Sequence, residues 1–394
     1  MDKNRLCYIL RSRYPEVLGI RKCLQRGKVR RLYRHLLSEQ EIAECEKKPL
    51  KKKEIIQPYL TKWEKYLRPT IAEMEDILTN APSYKDRNDK DNLRTDMMYC
   101  RLAYGFIPSE YVGFELEQKP PKERKTFVSD IDTNVFGYSV NDITKIQKVL
   151  DKGDGYYQFK KYFCRDAVVI ERKKDYHTFL EFIQKHPVFV KKVVFSSMGR
   201  GVELVNINLI SESYQDYFNR LIKSGKYLLE ECVIQHDKMA KFNVSSVNTI
   251  RCITFRTKQG IEVPYCFMRT GRNGSFVDNG GSGGLLIGIE VETGILNTDG
   301  FDEYNERYPF HPDSGVVFKG SRIPAWNELL DFCKKAASEV KNLGYLSWDL
   351  AYTNNGWVII EANEVGQLIG PQIVMRRGIK AELTEYFARM HKVV

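Results

Sequence analysis

The sequence predicts an α+β protein in which two mixed α/β subdomains face one another behind a helical, basic N-terminal extension. Three observations carry this. Helical patterns fill the first 125 residues, with the basic charge crowded into residues 1–53. Strands and helices then alternate through residues 126–240, and strands dominate residues 241–394. At 394 residues the chain can hold two or three packed subdomains.

The extension comes first. The chain carries a net charge of +11, and residues 1–53 hold 16 Lys and Arg against 6 Asp and Glu, which leaves 46 against 45 for the remainder. Val17, Leu18, Leu24, Val29, Leu32, Leu36 and Leu37 are interleaved among the arginines of this arm. Such a segment can lie on an anionic membrane surface, or it can pack its leucines on the body and show a solvated basic face. No nucleic-acid motif accompanies the charge, which counts against nucleic acid. Residues 54 to about 112 continue the helical pattern around a polar loop, SYKDRNDKD, and YVGFELEQKPPKERKTFVSD reads as a linker.

From Asn141, DITKIQKVL reads as a helix, Ala167 to Ile170 as a strand, DYHTFLEFIQKH as a helix and VFVKKVVF as a strand. A glycine-containing turn, the strand GVELVNI, the helix YQDYFNRLIKSG and the strand KYLLEECVI follow. The turn brings lysines, Ser197, Gly199, Arg200 and Gly201 to the junction of two strands, where backbone amides can cradle phosphate oxygens. YLLEECVI can offer its backbone edge to a purine ring. Arg251, Arg269 and Arg272, with Asn248 and Asn279, come next, and arginines suit phosphate and carboxylate.

The last element is a hairpin, WDLAYTNNGWVIIEAN. Alternation places Trp357, Ile359, Glu361 and Asn363 on one face. A two-residue loop would send Asp349 to the other face, whereas a three-residue loop with Gly356 in the left-handed position pairs Thr353 with Trp357 and Asp349 with Glu361. On that register two carboxylates and an amide converge, a donor set suited to a hard divalent cation such as magnesium. A solvated hairpin end is the competing reading.

No apolar run reaches the roughly 18 residues a membrane span needs, and MDKNRLCYIL lacks a signal peptide's pattern, so a cytoplasmic protein is expected. Nine scattered cysteines without a CxxC pair point to buried thiols. His177 and His186 read as helix residues and His236 as a pocket-edge residue, none in a metal-ligand spacing.

The order of lysine and glycine loop, nucleotide edge, arginines and D…ExN resembles the ATP-grasp superfamily over residues 141 to 394. It is most similar to the sugar-transfer-associated ATP-grasp proteins, through NVSSVNTIRCITF, VDNGGSGGLLIGIE and WDLAYTNNGWVIIEANEVGQLIGPQ. The resemblance implies the ATP-grasp fold, two α/β subdomains clasping ATP. It implies Lys192 as the phosphate lysine, with Lys191 still open, and Glu230, Glu231 and Val233 at the adenine, with Asp237 for the ribose. Asp349, Glu361 and Asn363 become ligands to magnesium, two ions with Glu361 bridging, and Asn279 with Arg251 and Arg269 belongs to the reacting centre. The implied activity is ligation of a small-molecule or glycan carboxylate to an amine or other nucleophile through an acyl phosphate, in polysaccharide or glycoconjugate biosynthesis. A grasp-fold phosphotransferase and a non-catalytic nucleotide-binding partner of a glycosyltransferase are the alternatives. Asp349→Asn, Glu361→Gln and Asn363→Ala are each expected to cut turnover by orders of magnitude and spare the fold.

Overall fold

The computed structural model describes residues 26–392, apart from 28, 32, 147, 148, 150, 195–200, 279 and 365. The N-terminal extension contains α1 (Glu39–Lys47), α2 (Lys52–Lys62), α3 (Glu64–Asn80) and α4 (Lys90–Tyr104). Ser38 starts α1 with a reciprocal capping box to Glu41, and Gly105, at φ +86°, ends α4 in a conformation that side chains resist. Of the arm's apolar residues, Leu37 is buried and its amide donates to Leu102 O at 2.8 Å. Val17, Leu18, Leu24 and Leu32 lie outside the described residues.

The stretch read as a linker is folded. The preceding Pro108 opens α5 (Pro108–Gly113), which runs into the stretch, and within it Pro120 caps and Pro121 opens α6 (Pro121–Arg124), where a missing N–H does no harm. Phe114 and Phe127 stack at 4.8 Å and are buried, together with Tyr111, Val112 and Leu116. Alternating apolar residues hidden among lysines and prolines gave no period to read.

α7 (Asp130–Val140) follows, and the first half of DITKIQKVL then departs from expectation. Residues 143–146 form a turn, because Asp142 Oδ1 accepts from Thr144 N at 3.0 Å and Oγ1 at 2.8 Å, a local alternative to the helix. Val149 in its second half is helical, 147, 148 and 150 lie outside the described residues, and a longer helix comes next, α8 (Lys152–Phe163), capped by Asp151 accepting from Gly153 N at 2.8 Å. Glycines at 153 and 155 hide it from a propensity reading. Gly153 is needed for close approach, since a Cβ there would stand 2.7 Å from Val169.

The smaller sheet has β1 (Ala167–Ile170), β2 (Val188–Val193), β3 (Val202–Asn206) and β4 (Tyr227–Glu231), all antiparallel in the order β1-β4-β2-β3. One face packs Ile170, Phe189, Val205 and Leu229 against Phe179 and Phe182 of α9 (Tyr176–Lys185) and Phe218 and Leu221 of α10 (Tyr214–Ser224). A short α11 (Asp237–Ala240) leads on.

The larger sheet has β5 (Thr249–Thr257), β6 (Gly260–Thr270), β7 (Leu285–Glu290), β8 (Ile295–Phe301), β9 (Arg307–Tyr308), β10 (Tyr345–Thr353) and β11 (Gly356–Asn363), in the order β11-β10-β5-β6-β7-β8-β9. Trp348, Leu350, Cys252 and Met268 share a core with α12 (Trp326–Ser338) and α8, where Phe159 meets Trp348 edge-on at 5.1 Å. The opposite face carries Phe267, which clusters with Ile373 and Val374 of α13 (Ile369–Met375) and with Phe106 and Phe114 of the extension. α14 (Lys380–Arg389) covers Phe255 and Tyr345 through Leu383. The extension is therefore packed onto the larger sheet.

Cys45, Cys100, Cys252, Cys266 and Cys333 are buried and free, as expected, whereas Cys164 is exposed and Cys232 half-buried. No helix among the described residues is long and apolar enough to cross a membrane.

Candidate active site

The hairpin reaches the expected pairing by a different route. Its tip is a two-residue loop, Asn354 and Asn355, so Thr353 pairs with Gly356 and not with Trp357; Gly356 does take a positive φ, +101°. The register then shifts between Leu350, opposite Ile359, and Asp349, opposite Glu361. Ile360 is the extra residue, a β-bulge. The bulge also divides the expected single face of Trp357, Ile359, Glu361 and Asn363 between the two sides of the sheet. Trp357 and Ile359 join Leu350 in the core beneath α12, and Glu361 and Asn363 pair with Asp349 and Ser347 on the other face.

Asp349 is only 1% exposed. Its β5 neighbour in the ladder is Arg251, whose Nε donates to Oδ1 and whose Nη2 donates to Oδ2 at 2.7 Å. Arg269 Nη2 lies 3.1 Å from Oδ2 and 3.2 Å from Asp278 Oδ1, while Arg269 Nε donates to Thr249 Oγ1 at 3.1 Å. Burial alone would push the Asp349 carboxyl up, but the charges of Arg251 and then Arg269 outweigh it and hold it below the usual aspartate value. Glu361, about a third exposed, is 3.2 Å from Lys152 Nζ at the start of α8. The positive charge between the opposed carboxylates is thus supplied in part by the protein itself.

Asn363 Nδ2 is buried and has no hydrogen-bond partner, and neither has the Oγ of Ser347, its neighbour across the ladder. An amide turned about its terminal bond puts oxygen in that position. The Asp349, Glu361 and Asn363 set accordingly fits a hard cation, for a carboxylate offers about four lone-pair directions and the arginines occupy only some.

Lys191 and Lys192 point to opposite faces of the smaller sheet. Lys191 lies on the face that packs α9 and α10, 2.8 Å from Glu203. Lys192 donates to the fully buried Glu230 at 2.9 Å, and Arg165 Nη2 reaches the same oxygen at 2.8 Å. Arg165 Nη1 also donates to Ile359 O of β11 at 2.6 Å, so this face turns toward the hairpin. Burial opposes ionisation of Glu230, yet Arg165 and Lys192 together keep its carboxyl low.

The chain after Glu230 crosses between the sheets. Glu231 turns to the α9 side, its Oε2 accepting from Asp166 N at 3.0 Å; Val233 is half-buried, and Gln235 bridges to Thr353. His236 caps α11, where Asp237 is exposed in the first turn. Gly201 O accepts from Val193 N at 3.0 Å, closing the base of the β2–β3 turn. Ser197, Gly199, Arg200 and Asn279 lie outside the described residues.

Arg272 stands apart from Arg251 and Arg269. It holds Gly283 O at 2.6 Å, Tyr308 Oη at 2.5 Å and Asp302 Oδ2 at 3.0 Å. Asn248 is a fully buried structural amide, donating to Met239 O and Asn243 O, both at 2.9 Å. Sequence reasoning missed Lys152, Arg165 and Asp278. Only Lys152 carried a local signal, following the helix-capping Asp151. A cavity of about 720 Å³ opens where α12 begins, lined by Lys238, Lys241, Arg322 and Trp326, and contains none of these residues.

The family model described as sugar-transfer associated ATP-grasp matches residues 140–387. Among solved structures the chain is similar to the ADP complex of purK, a carboxyaminoimidazole ribonucleotide synthetase (14% identity, 58% of this chain and 48% of that one, TM-score 0.37). It is also similar to the ATP-grasp ligase PsnB complexed with a phosphomimetic variant of minimal precursor, Mg and ADP (12% identity, 68% of each chain, TM-score 0.40). A third likeness is to the VanG D-Ala:D-Ser ligase from Enterococcus faecalis (14% identity, 65% of this chain and 66% of that one, TM-score 0.39). The chain spans about half the length of the purK chain. Comparison with curated proteins gave no match.

Proposed function

Because the chain belongs to the sugar-transfer associated ATP-grasp family, we propose that it is an ATP-dependent ligase joining a carboxylate to an amine or other nucleophile in polysaccharide or glycoconjugate assembly. In this reading a carboxylate oxygen of the substrate takes the γ-phosphoryl group of ATP, giving ADP and an acyl phosphate. The nucleophile then attacks the acyl carbon, loses its proton and expels phosphate.

The observation that carries the reading is the bulge-set opposition of Asp349 and Glu361, with the unpartnered Asn363 amide on the same face. Magnesium, two ions in this proposal, would be held by Asp349, Glu361 and Asn363 and would neutralise phosphate charge during transfer. The chain's own groups do the positioning. Arg251 and Arg269 lock Asp349 in one orientation. Glu230, gripped by Arg165, aims Lys192 on the hairpin side of the smaller sheet, which favours Lys192 over Lys191 for the phosphate contact. Such fixed charges require no reorganisation at the moment of reaction. The setting is cytoplasmic, where ATP is supplied.

The test is ADP release by the full chain with magnesium and ATP, against uronic acids and amino acids singly and in pairs. With an oxygen-labelled carboxylate the label must appear in released phosphate. A stable phosphorylated product without free phosphate would overturn ligation in favour of phosphotransfer.

A further inference from the structure

The turn between α1 and α2 has no part in the ligase reading. Lys47, Lys48, Lys51, Lys52 and Lys53 surround Pro49 and Leu50, and Leu50 is 99% exposed at the apex of a single 3-10 turn, Pro49–Lys51. Its base is anchored on both sides. Cys45 and Ile56 are buried, and Lys52 Nζ sits 2.6 Å from Asp96 and 4.6 Å from the centre of the Tyr99 ring. Nearby carboxylates are already engaged, Glu44 by Lys51 at 3.0 Å and Glu46 by Lys125 at 2.8 Å. Lys47, Lys48 and Lys53 are exposed, with no ion pair to another described residue, and the exposed Glu54 subtracts one charge.

An exposed leucine alone is ordinary. A leucine projected from an anchored turn and ringed by ammonium groups complements a surface with anionic heads over an apolar interior. We propose that this turn docks the protein on an anionic phospholipid surface, with Leu50 entering the headgroup boundary and Lys47, Lys48 and Lys53 lying on the phosphates. Nucleic acid or an acidic protein would use the lysines and leave Leu50 in water. The remaining basic charge of residues 1–53 belongs to the same segment.

The test uses the full chain in flotation with phosphatidylcholine vesicles and with vesicles of equal parts phosphatidylcholine and phosphatidylserine, the thermal midpoint serving as fold control. Preferential, salt-sensitive binding to the anionic vesicles is expected. Leu50→Asp should weaken it about tenfold or more, and Lys47, Lys48 and Lys53 changed together to Ser about a hundredfold. Absence of vesicle binding, or binding that Leu50→Asp leaves unchanged, overturns the proposal. So does binding to single-stranded DNA that is equally strong and indifferent to Leu50. Flotation needs no turnover, so the outcome is separate from that of the ligase test.

Discussion

Asp349→Asn and Glu361→Gln each remove one charge from the same face of one hairpin, and the structure makes them unequal. Asp349 is buried and paired with two buried guanidinium groups, so its amide analogue leaves Arg251 without a counter-charge and Arg269 with Asp278 alone. Breaking a buried pair in this way costs about 3 to 5 kcal/mol. Glu361 is 35% exposed and has one lysine contact at 3.2 Å, for which about 1 kcal/mol is the appropriate scale. Both variants should lower ADP release by about a hundredfold or more, but only Asp349→Asn should also weaken the fold, against the sequence-based expectation that both spare it.

Urea denaturation at neutral pH measures the difference. The sign of its pH dependence follows from the depressed Asp349 carboxyl. Its contribution is fully present above the ordinary aspartate value of about 3.9 and is lost as pH falls through the lower folded value. The stability gap between wild type and Asp349→Asn should therefore hold its full size from pH 7 down to about 4. A gap under about 1 kcal/mol, or a Glu361→Gln variant equally destabilised, would refute the reasoning.

Lys192→Met should abolish ATP-dependent turnover, while Lys191→Met, whose partner Glu203 is 59% exposed, should leave it within about threefold; initial rates at saturating ATP decide. Arg165→Met should destabilise by about 3 kcal/mol and speed proteolytic cleavage in residues 232–236, since it leaves the buried Glu230 with Lys192 alone and frees the Ile359 carbonyl. Gly378→Ala should lower stability by about 2 kcal/mol or more, read from the urea midpoint, because its Cβ would fall 2.2 Å from Thr126 O, the acceptor of Lys380 N.

The legible parts of this chain were those with a local period or a local chemical reason. β1 falls on Ala167–Ile170 as read, and α9 and α10 differ from the sequence reading by a residue at their ends. The convergence of Asp349, Glu361 and Asn363 was also legible, but for the wrong reason. A loop length was asked to do what the bulge at Ile360 does, and a bulge leaves no mark in an unbroken apolar run such as Trp357 to Ile360. Arg251 and Arg269 were visible as cations, yet their choice of Asp349 depends on β5 lying beside β10, a pairing across almost a hundred residues. Arg165 had no signal at all. Its importance arises only where the smaller sheet meets Ile359.

That meeting has a consequence for solubility. β11 is the outermost strand of a seven-stranded antiparallel sheet, and an uncovered outer strand is a template on which a second molecule can add its own. Arg165 occupies one of its carbonyls and α8 runs alongside, so the smaller subdomain acts as a guard rail for the larger one. Any movement wide enough to part the two sheets would break the Arg165 bond and bare a strand rich in Val and Ile. Conditions that separate the subdomains, such as mild denaturant, should consequently promote aggregation through β11 before the larger sheet itself unfolds, and a charged residue at Ile360 would be the place to suppress it.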